Sequence, residues 1–423
     1  MTKRSQLCED IHSPGLSSST DVMSLPHQSQ DPSAPPVLPQ ELIDCIIDQL
    51  QDRKTDLSTC ALVGRTWLYS SRKHLFRVLS CRPQLSNRGQ VENNVAGPVF
   101  APHIPPLVHR LSFDCAQSPL HLAMLLRISS FTQLRHLTLS NIPLRNLHQT
   151  EACHHFPVFL KQCPELEHLA LIKVDLQDIR QLSFPPGRHI PHLRSLTLQS
   201  LTCSDSDVQG FVSFSPDDQM ELEALELEDV DPDVVDLMFC RPDSPFSLSA
   251  LQWLRLGDDC HDEVLQNYGS SITHLSLHPP IPSYISQLNS LTLPKLRHLT
   301  ISGNDFKHDA IPSILQQLGH SGLGLQTLVL GITISSAGYP EINSGHDKLI
   351  CEFIRSMPSL ERVVLRLKRK FTLKYPMSHP LVMVLRQREI LLHLPETVES
   401  DKLVVEIEWD KEESRKLGLS RSK

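Results

Sequence analysis

Residues 193–201 read LRSLTLQSL, and residues 222–230 read LEALELEDV. Leucine stands at the first, fourth and sixth places of each stretch. The Leu-x-Leu half alternates with period two, which sends one set of side chains to a buried face and the other to an open one. The same L-x-x-L-x-L spelling starts at Leu134, Leu166, Leu251 and Leu325. Looser copies start at Ile272, Leu296 and Leu360, and a degenerate one, VHRLSF, at Val108. Successive copies lie about 20 to 35 residues apart, the period of a repeat array rather than of separate domains. In such an array each unit supplies one strand and buries its leucines only against its neighbours.

The segments between the strands have room for helices. FPVFLKQCPELEHL (156–169) and CEFIRSMPSLERVV (351–364) each read as an amphipathic helix, a proline stop and then a strand. The expected fold class is therefore α/β, a curved parallel sheet with helices outside. The array is expected to run over 107–370. A helix at about 379–393 and the strand LVVEIEW (403–409) are read as a closing, capping repeat over 371–410. A charged tail, 411–423, follows. GHSGLG (319–324) reads as a helix stop and turn, and LKRK (367–370) as a solvated strand end or a nuclear signal.

Upstream the period changes. LPQELIDCIIDQLQDRKTDLSTCALVGRTWLYSSRKHLFRVL (38–79) is helical. Pro39 suits a first helical turn and Glu41 favours the positive helix start. Leu42, Ile43, Ile46, Ile47 and Leu50 make one broad apolar stripe. Asp56 is placed to cap a second helix carrying Leu57, Cys60, Ala61, Val63 and Trp67. A third, basic helix is expected to end in Leu75, Phe76 and Val78. A unit of this size, 37–80, buries little surface, so its stripe is expected to find a partner. Residues 1–36 are rich in Ser, Pro, Gln and Asp and are expected to be disordered. Residues 81–106 read as a linker.

Composition narrows the function. Lys plus Arg number 40 against 48 Asp plus Glu, a net charge of −8, which argues against a general binder of phosphate backbones. No apolar run of about 18 residues predicts a membrane span, and no apolar stretch near the N-terminus reads as a secretory signal. The 11 cysteines include no C-x-x-C pair and read as free thiols of a reducing compartment, cytoplasmic and/or nuclear. The 16 glycines, against 32 prolines, argue against a Gly-rich nucleotide fold. No Walker loop, H-E-x-x-H or kinase set occurs, so the chain is not expected to be an enzyme or to carry a cofactor.

The 37–80 segment resembles the F-box. Leu38, Pro39, Glu41, Leu42, Ile46, Leu50, Leu57, Ala61, Leu62, Val63, Arg65 and Trp67 fall on that family's pattern, and Gly64 stands where the family often has Cys. The rest resembles the leucine-rich repeats often found behind an F-box. The asparagine expected three places after the last Leu is clear only as Asn304, while Ile142, Val174, Leu201 and Val230 hold the equivalent sites. The resemblance implies a substrate-recognition subunit of an SCF-type ubiquitin ligase. Its F-box would dock on a Skp-type linker through Leu38, Pro39, Leu42, Ile43, Ile46, Leu50, Leu57, Val63 and Trp67. The linker would bind a cullin scaffold, and the repeats would hold a target protein. Two alternatives remain open: a non-degradative leucine-rich-repeat scaffold, and a three-helix unit that merely caps the array.

The strand positions that face away from the leucines would meet the target. Glu226 and Glu228, with Asp229, form an acidic group beside Trp253 and Arg255 of the next unit. These residues read either as ordinary solvated surface or as a partner-binding patch, since Trp and Arg are favoured at protein interfaces. Cys153, His154, His155 and Cys163 cluster in sequence but lack paired metal-ligand spacing. The repeated histidines at His136, His168, His274 and His298 read as strand surface. No metal site is therefore expected.

Overall fold

A computed structural model describes residues 38–81, 103–114, 131–143, 152–178, 184–185, 187–205, 214–257, 262–278, 293–302, 311–319, 324–334, 344–369, 387–388, 390–399 and 401–407. The expected disorder of 1–36, most of the 81–106 linker, Asn304, the tail 411–423 and most of the helix expected at 379–393 lie outside the described residues.

Three short helices open the described chain: α1 (Gln40–Gln49), α2 (Lys54–Val63) and α3 (Arg65–Leu75). Proline cannot donate a hydrogen bond, and Pro39 sits just outside α1, where its carbonyl accepts the N–H groups of Leu42 and Ile43. Residues at helical spacing then meet: Ile43, Ile47 and Leu57 are fully buried, with Leu50, Cys60, Trp67 and Leu75 packed around them. Polar bonds lock α1 to α3. The Ser70 hydroxyl donates to the Asp44 carboxylate, the Gln40 amide donates to the same oxygen at 2.8 Å, and His74 meets Asp48 at 2.7 Å.

Three boundaries differ from the sequence reading. The second helix ends at Val63, because Gly64 breaks it, so Trp67 belongs to the third helix and not the second. The second helix starts at Lys54 rather than after Asp56; Asp56 lies in its first turn, where a carboxylate favours the helix dipole, and pairs with Arg53 at 3.7 Å. The third helix stops at Leu75, because Val78 is already in a strand.

That strand, β1 (Val78–Cys81), begins the sheet. It pairs in parallel with β2 (Arg110–Asp114). β3 (His136–Pro143), β4 (His168–Asp178) and β5 (Ser195–Asp205) follow. β6 (Met220–Glu221) and β8 (Phe246–Ser247) form a separate parallel pair. β7 (Ala224–Val230), β9 (Trp253–Leu256), β10 (His274–Leu277) and β11 (His298–Ser302) continue the main sheet. β12 (Thr327–Ile334), β13 (Arg362–Arg369) and β14 (Leu403–Ile407) complete it. The result is an α/β architecture with one 12-stranded parallel sheet, β6 and β8 apart, whose spatial order is its chain order.

The register explains the leucines. Leu137, Leu169, Leu196, Leu225 and Leu254 stand opposite one another on successive strands, all buried. Among the described residues, helices pack their apolar residues into the same core as those leucines: α4 (Ala152–Lys161), α5 (Pro232–Val235, passing into a π-turn over Asp236–Cys240), α6 (Asp262–Tyr268), α7 (Ile311–Gly319) and α8 (Ser344–Ser356). Between strands and helices runs a chain of phenylalanines. Phe156 meets Phe184 at 6.3 Å, Phe184 meets Phe246 at 4.9 Å, and Phe239 stacks on Phe246 at 5.6 Å.

The sites where asparagines were expected have a different geometry. Asn141, Lys173, Ser200 and Asp229 adopt left-handed φ values of 54°, 54°, 50° and 56°. The four lie level with one another on neighbouring strands, a shared left-handed kink after which the next side chain is buried. Ile142, Val174, Leu201 and Val230 are thereby buried and paired strand to strand. An apolar ladder thus occupies the place of a polar one.

At the far end α9 (Pro395–Glu399) docks on α8. The Thr397 backbone N–H donates to the buried Asp347 carboxylate at 2.9 Å, its hydroxyl donates to the same carboxylate, and Cys351 lies 3.2 Å from that hydroxyl. Among the described residues no helix is long and apolar enough to cross a membrane, and every cysteine is a free thiol.

Candidate functional site

The three-helix unit divides its apolar residues between two sides. Ile43 and Leu57 are fully inside, and Leu50 and Trp67 pack on that core, so these four hold the unit together. Leu38, Leu42 and Ile46 follow at i, i+4 spacing and stay 42–51% exposed. Pro39 is exposed with them, and so are Val63, Tyr69 and, at 86%, Leu62. Of the residues that the sequence assigned to linker docking, Leu38, Pro39, Leu42, Ile46 and Val63 are free to touch a partner. Ile43, Leu50, Leu57 and Trp67 act from beneath. Leu62 and Tyr69 extend the exposed apolar set; Leu62 already lay on the recognised pattern, whereas Tyr69 gave no signal beyond helical spacing.

The second surface is the face of the sheet opposite the buried leucines. Glu226, Glu228, Trp253 and Arg255 come together there on neighbouring strands. Their charges are already matched to one another. Arg255 reaches Glu226 at 2.8 Å, Glu228 at 3.8 Å and the His278 ring at 3.3 Å. The Thr197 hydroxyl donates to Glu226 at 3.4 Å, and Ser302 meets His278 at 3.1 Å, so the network crosses from β5 to β11. Gly257 permits this closeness: a Cβ there would lie 2.8 Å from the Cα of Glu228. The half-buried Trp253 ring stands between Ala224 and His274 in the register, beside the small side that Ala224 leaves. A paired acidic group offers a partner shape and hydrogen bonds more than free charge.

The histidines form two stacks that sequence alone did not reveal. His136 lies on His168 with ring centroids 4.3 Å apart and planes within 4°; His274 lies on His298 at 4.2 Å and 12°. The signal was their shared place in adjacent units, which parallel register converts into contact. Burial, then the neighbouring ring and Arg110, push His136 down to about 4. Burial lowers His168, and burial and then His298 lower His274. These three rings are neutral at neutral pH.

Two clusters have ligand-type atoms within 4.8 Å of one another: His136 with Glu167 and His168, and Asp236 with Cys240 and Glu263. In the first, parallel rings aim their lone pairs side by side rather than at one point, and Arg135 holds Glu167 at 3.5 Å. In the second, burial and then Glu263 and Asp236 push the Cys240 thiol up to about 11, and Arg241 occupies Asp236 at 2.9 Å. Neither arrangement suits a cation. Cys163 is buried, its thiol donating to the Phe159 carbonyl and raised to about 12 by burial; the side chains of Cys153, His154 and His155 lie outside the described residues.

No protein-family model matches the chain, and no curated protein matches it either.

Proposed function

We propose that this chain is the substrate-recognition subunit of an SCF-type ubiquitin ligase and not itself an enzyme. The three helices, read as an F-box, dock on a Skp-type linker that joins a cullin scaffold. The strand array, read as leucine-rich repeats, holds the target. One observation carries the reading: Leu38, Leu42, Ile46, Leu62 and Val63 are exposed over a core of only three fully buried apolar residues, Ile43, Ile47 and Leu57. So large an apolar share left in water is what a groove on another protein covers. The array supports it by offering a long open sheet face with an aromatic, Trp253, set in a rigid polar network.

The test is linker capture by the full chain and by a Leu42→Asp, Ile46→Asp double variant. Both side chains are largely exposed, so thermal unfolding should stay close to the wild type while capture falls at least tenfold, an energy of about 1.4 kcal/mol. Trp253→Ala should leave capture unchanged. A wild type that fails to capture the linker, or a double variant that captures it equally well, removes the reading.

A further inference from the structure

The face opposite the buried leucines is divided by charge. Over the first four residues of β7, β9, β10 and β11, partly or fully exposed residues alternate with buried ones, so the residues between the leucines share one face. Contacts between strands agree: His136 lies on His168, His274 on His298, and Glu226 meets Arg255. Register sorts this face into rows. The first runs from His136 through Trp253 to Thr327 and holds no Asp, Glu, Lys or Arg. The second runs from Thr138 to Val329, and its only charges, Glu226 and Arg255, meet at 2.8 Å. The third, where strands pair at that level, adds only Glu228, 3.8 Å from the same Arg255.

Charge returns on every side of these rows. One residue upstream of the first row stand Arg135, Glu167, Arg194, Glu223, Arg297 and Glu361, each joined to the next strand through its own backbone. Just past the third row come Lys173, Asp175 and Asp229, all at least partly exposed. Arg110 of β2 and Arg362 of β13 continue the first row at its two ends. A chain with 21% charged residues therefore gives charge freely to the frame and withholds it from the field inside. Solvation alone favours charge on an exposed strand face. A core depleted of charge inside a polar rim is the anatomy of a surface that a partner covers.

We infer that this neutral field over β3–β12 takes an extended, uncharged segment of the target, rich in Asn, Gln, Ser and Thr. The inference rests on the reading of the array as the part that holds a target. A charged segment would give up its hydration to a face whose only charges already meet one another. An apolar segment would bury imidazole nitrogens and the hydroxyls of Thr138, Ser195, Ser276 and Thr300 without partners. Side-chain amides and hydroxyls bring donors and acceptors together and carry no charge. Burial keeps His136, His168 and His274 below their ordinary value, so these rings too meet the segment as neutral groups. Seven steps between strands make the field about 34 Å long, which about ten extended residues cover.

The experiment immobilises the full chain and offers it a synthetic pool of decapeptides drawn at random from Gly, Ser, Thr, Asn, Gln, Asp, Glu, Lys and Arg. Retained peptides are sequenced by mass spectrometry. They should carry roughly half the pool's share of charged residues or less, and the same set should be retained from about 50 to 500 mM salt. Thr300→Lys puts a charge inside the field and should cut retention of the neutral set about tenfold. Gln326→Lys puts the same charge in the upstream row and should leave retention unchanged. Should Thr300→Lys melt early, Ser195→Lys takes its place. The inference is overturned if nothing is retained, if the retained peptides match the pool or are enriched in charge, or if a lysine in the field that leaves melting intact leaves retention intact too. Linker capture is scored separately on the same protein. A chain that captures the linker but shows no neutral preference loses this inference alone, whereas one that fails to capture the linker loses the F-box reading and keeps the peptide result.

Discussion

The helical unit and the strand array solve the same problem in opposite ways. The array buries its leucines against copies of its own motif. Its core runs without interruption from Cys81 and Ile104, through Leu196 and Leu254, to Leu394 and Val405. The helical unit has three fully buried apolar residues and leaves Leu38, Leu42, Ile46, Leu62 and Val63 in water. Repetition lets a chain complete its own core, whereas a unit of three short helices stays incomplete until another surface covers it. A short connection joins the two regions, since β1 begins three residues after α3 ends.

The sharpest way to break this contrast is to make the same change in both regions. Leu225→Ala removes a fully buried side chain between two strands and should cost about 2–5 kcal/mol. Leu42→Ala removes a half-exposed one and should cost well under 1 kcal/mol, because little cavity is left. Chemical unfolding of the two variants checks this. Equal losses would mean that the exposed stripe is part of a core after all.

The array was legible because its period writes itself repeatedly: the leucine positions specified strand, face and register before any coordinates. The parts that were not legible depend on neighbours. Whether Trp67 touches a partner or supports α1 cannot be told from an offset, since both faces of a short helix carry apolar residues. The match of Arg255 to Glu226 and Glu228 needs the pairing of β7 with β9. The capping of α9 by Asp347 joins residues 50 apart, and no local spacing announces it. The β1 strand was missed because VLSC (78–81) carries one leucine and continues a helical run.

The second difference is in pH. His136, His168, His274 and His109 in the array all have lowered values, with His136 near 4 against 6.5 when unfolded. Between those two pH values the unfolded chain binds protons that the folded array refuses, so array stability is full above 6.5 and declines as pH falls towards 4. In the helical unit the Ser70 and Gln40 hydrogen bonds lower Asp44, so its contribution is lost only as pH falls below the ordinary 3.8. On acidification the array should therefore weaken first. The rings are only partly buried and solvent screens them, so the decline should be smaller than the loss from Leu225→Ala. Melting curves from pH 7 to 4 should show it, and His136→Gln with His168→Gln should flatten it. An array whose melting does not change over that range would contradict the neutral stacks.

The smallest expected effect tests the kinked ladder. Lys173 holds a left-handed φ of 54° in the same place as Asn141 and Ser200, and its side chain is exposed. A lysine loses energy in that conformation because its Cβ crowds the following carbonyl, whereas glycine does not. Glycine also has more freedom to lose on folding, which offsets part of the gain. Lys173→Gly should therefore stabilise the array by about 0.5–1 kcal/mol. Val174→Ser is the companion change: it puts a hydroxyl among Ile142, Leu201 and their neighbours, where nothing apolar can satisfy it, and should destabilise. Opposite signs at adjacent positions would show that the left-handed kink exists to turn the ninth residue inward. If Lys173→Gly destabilised instead, the lysine would owe its place to side-chain contacts rather than to backbone geometry, and the helical unit, which has no left-handed residue among those described, would differ from the array in one respect fewer.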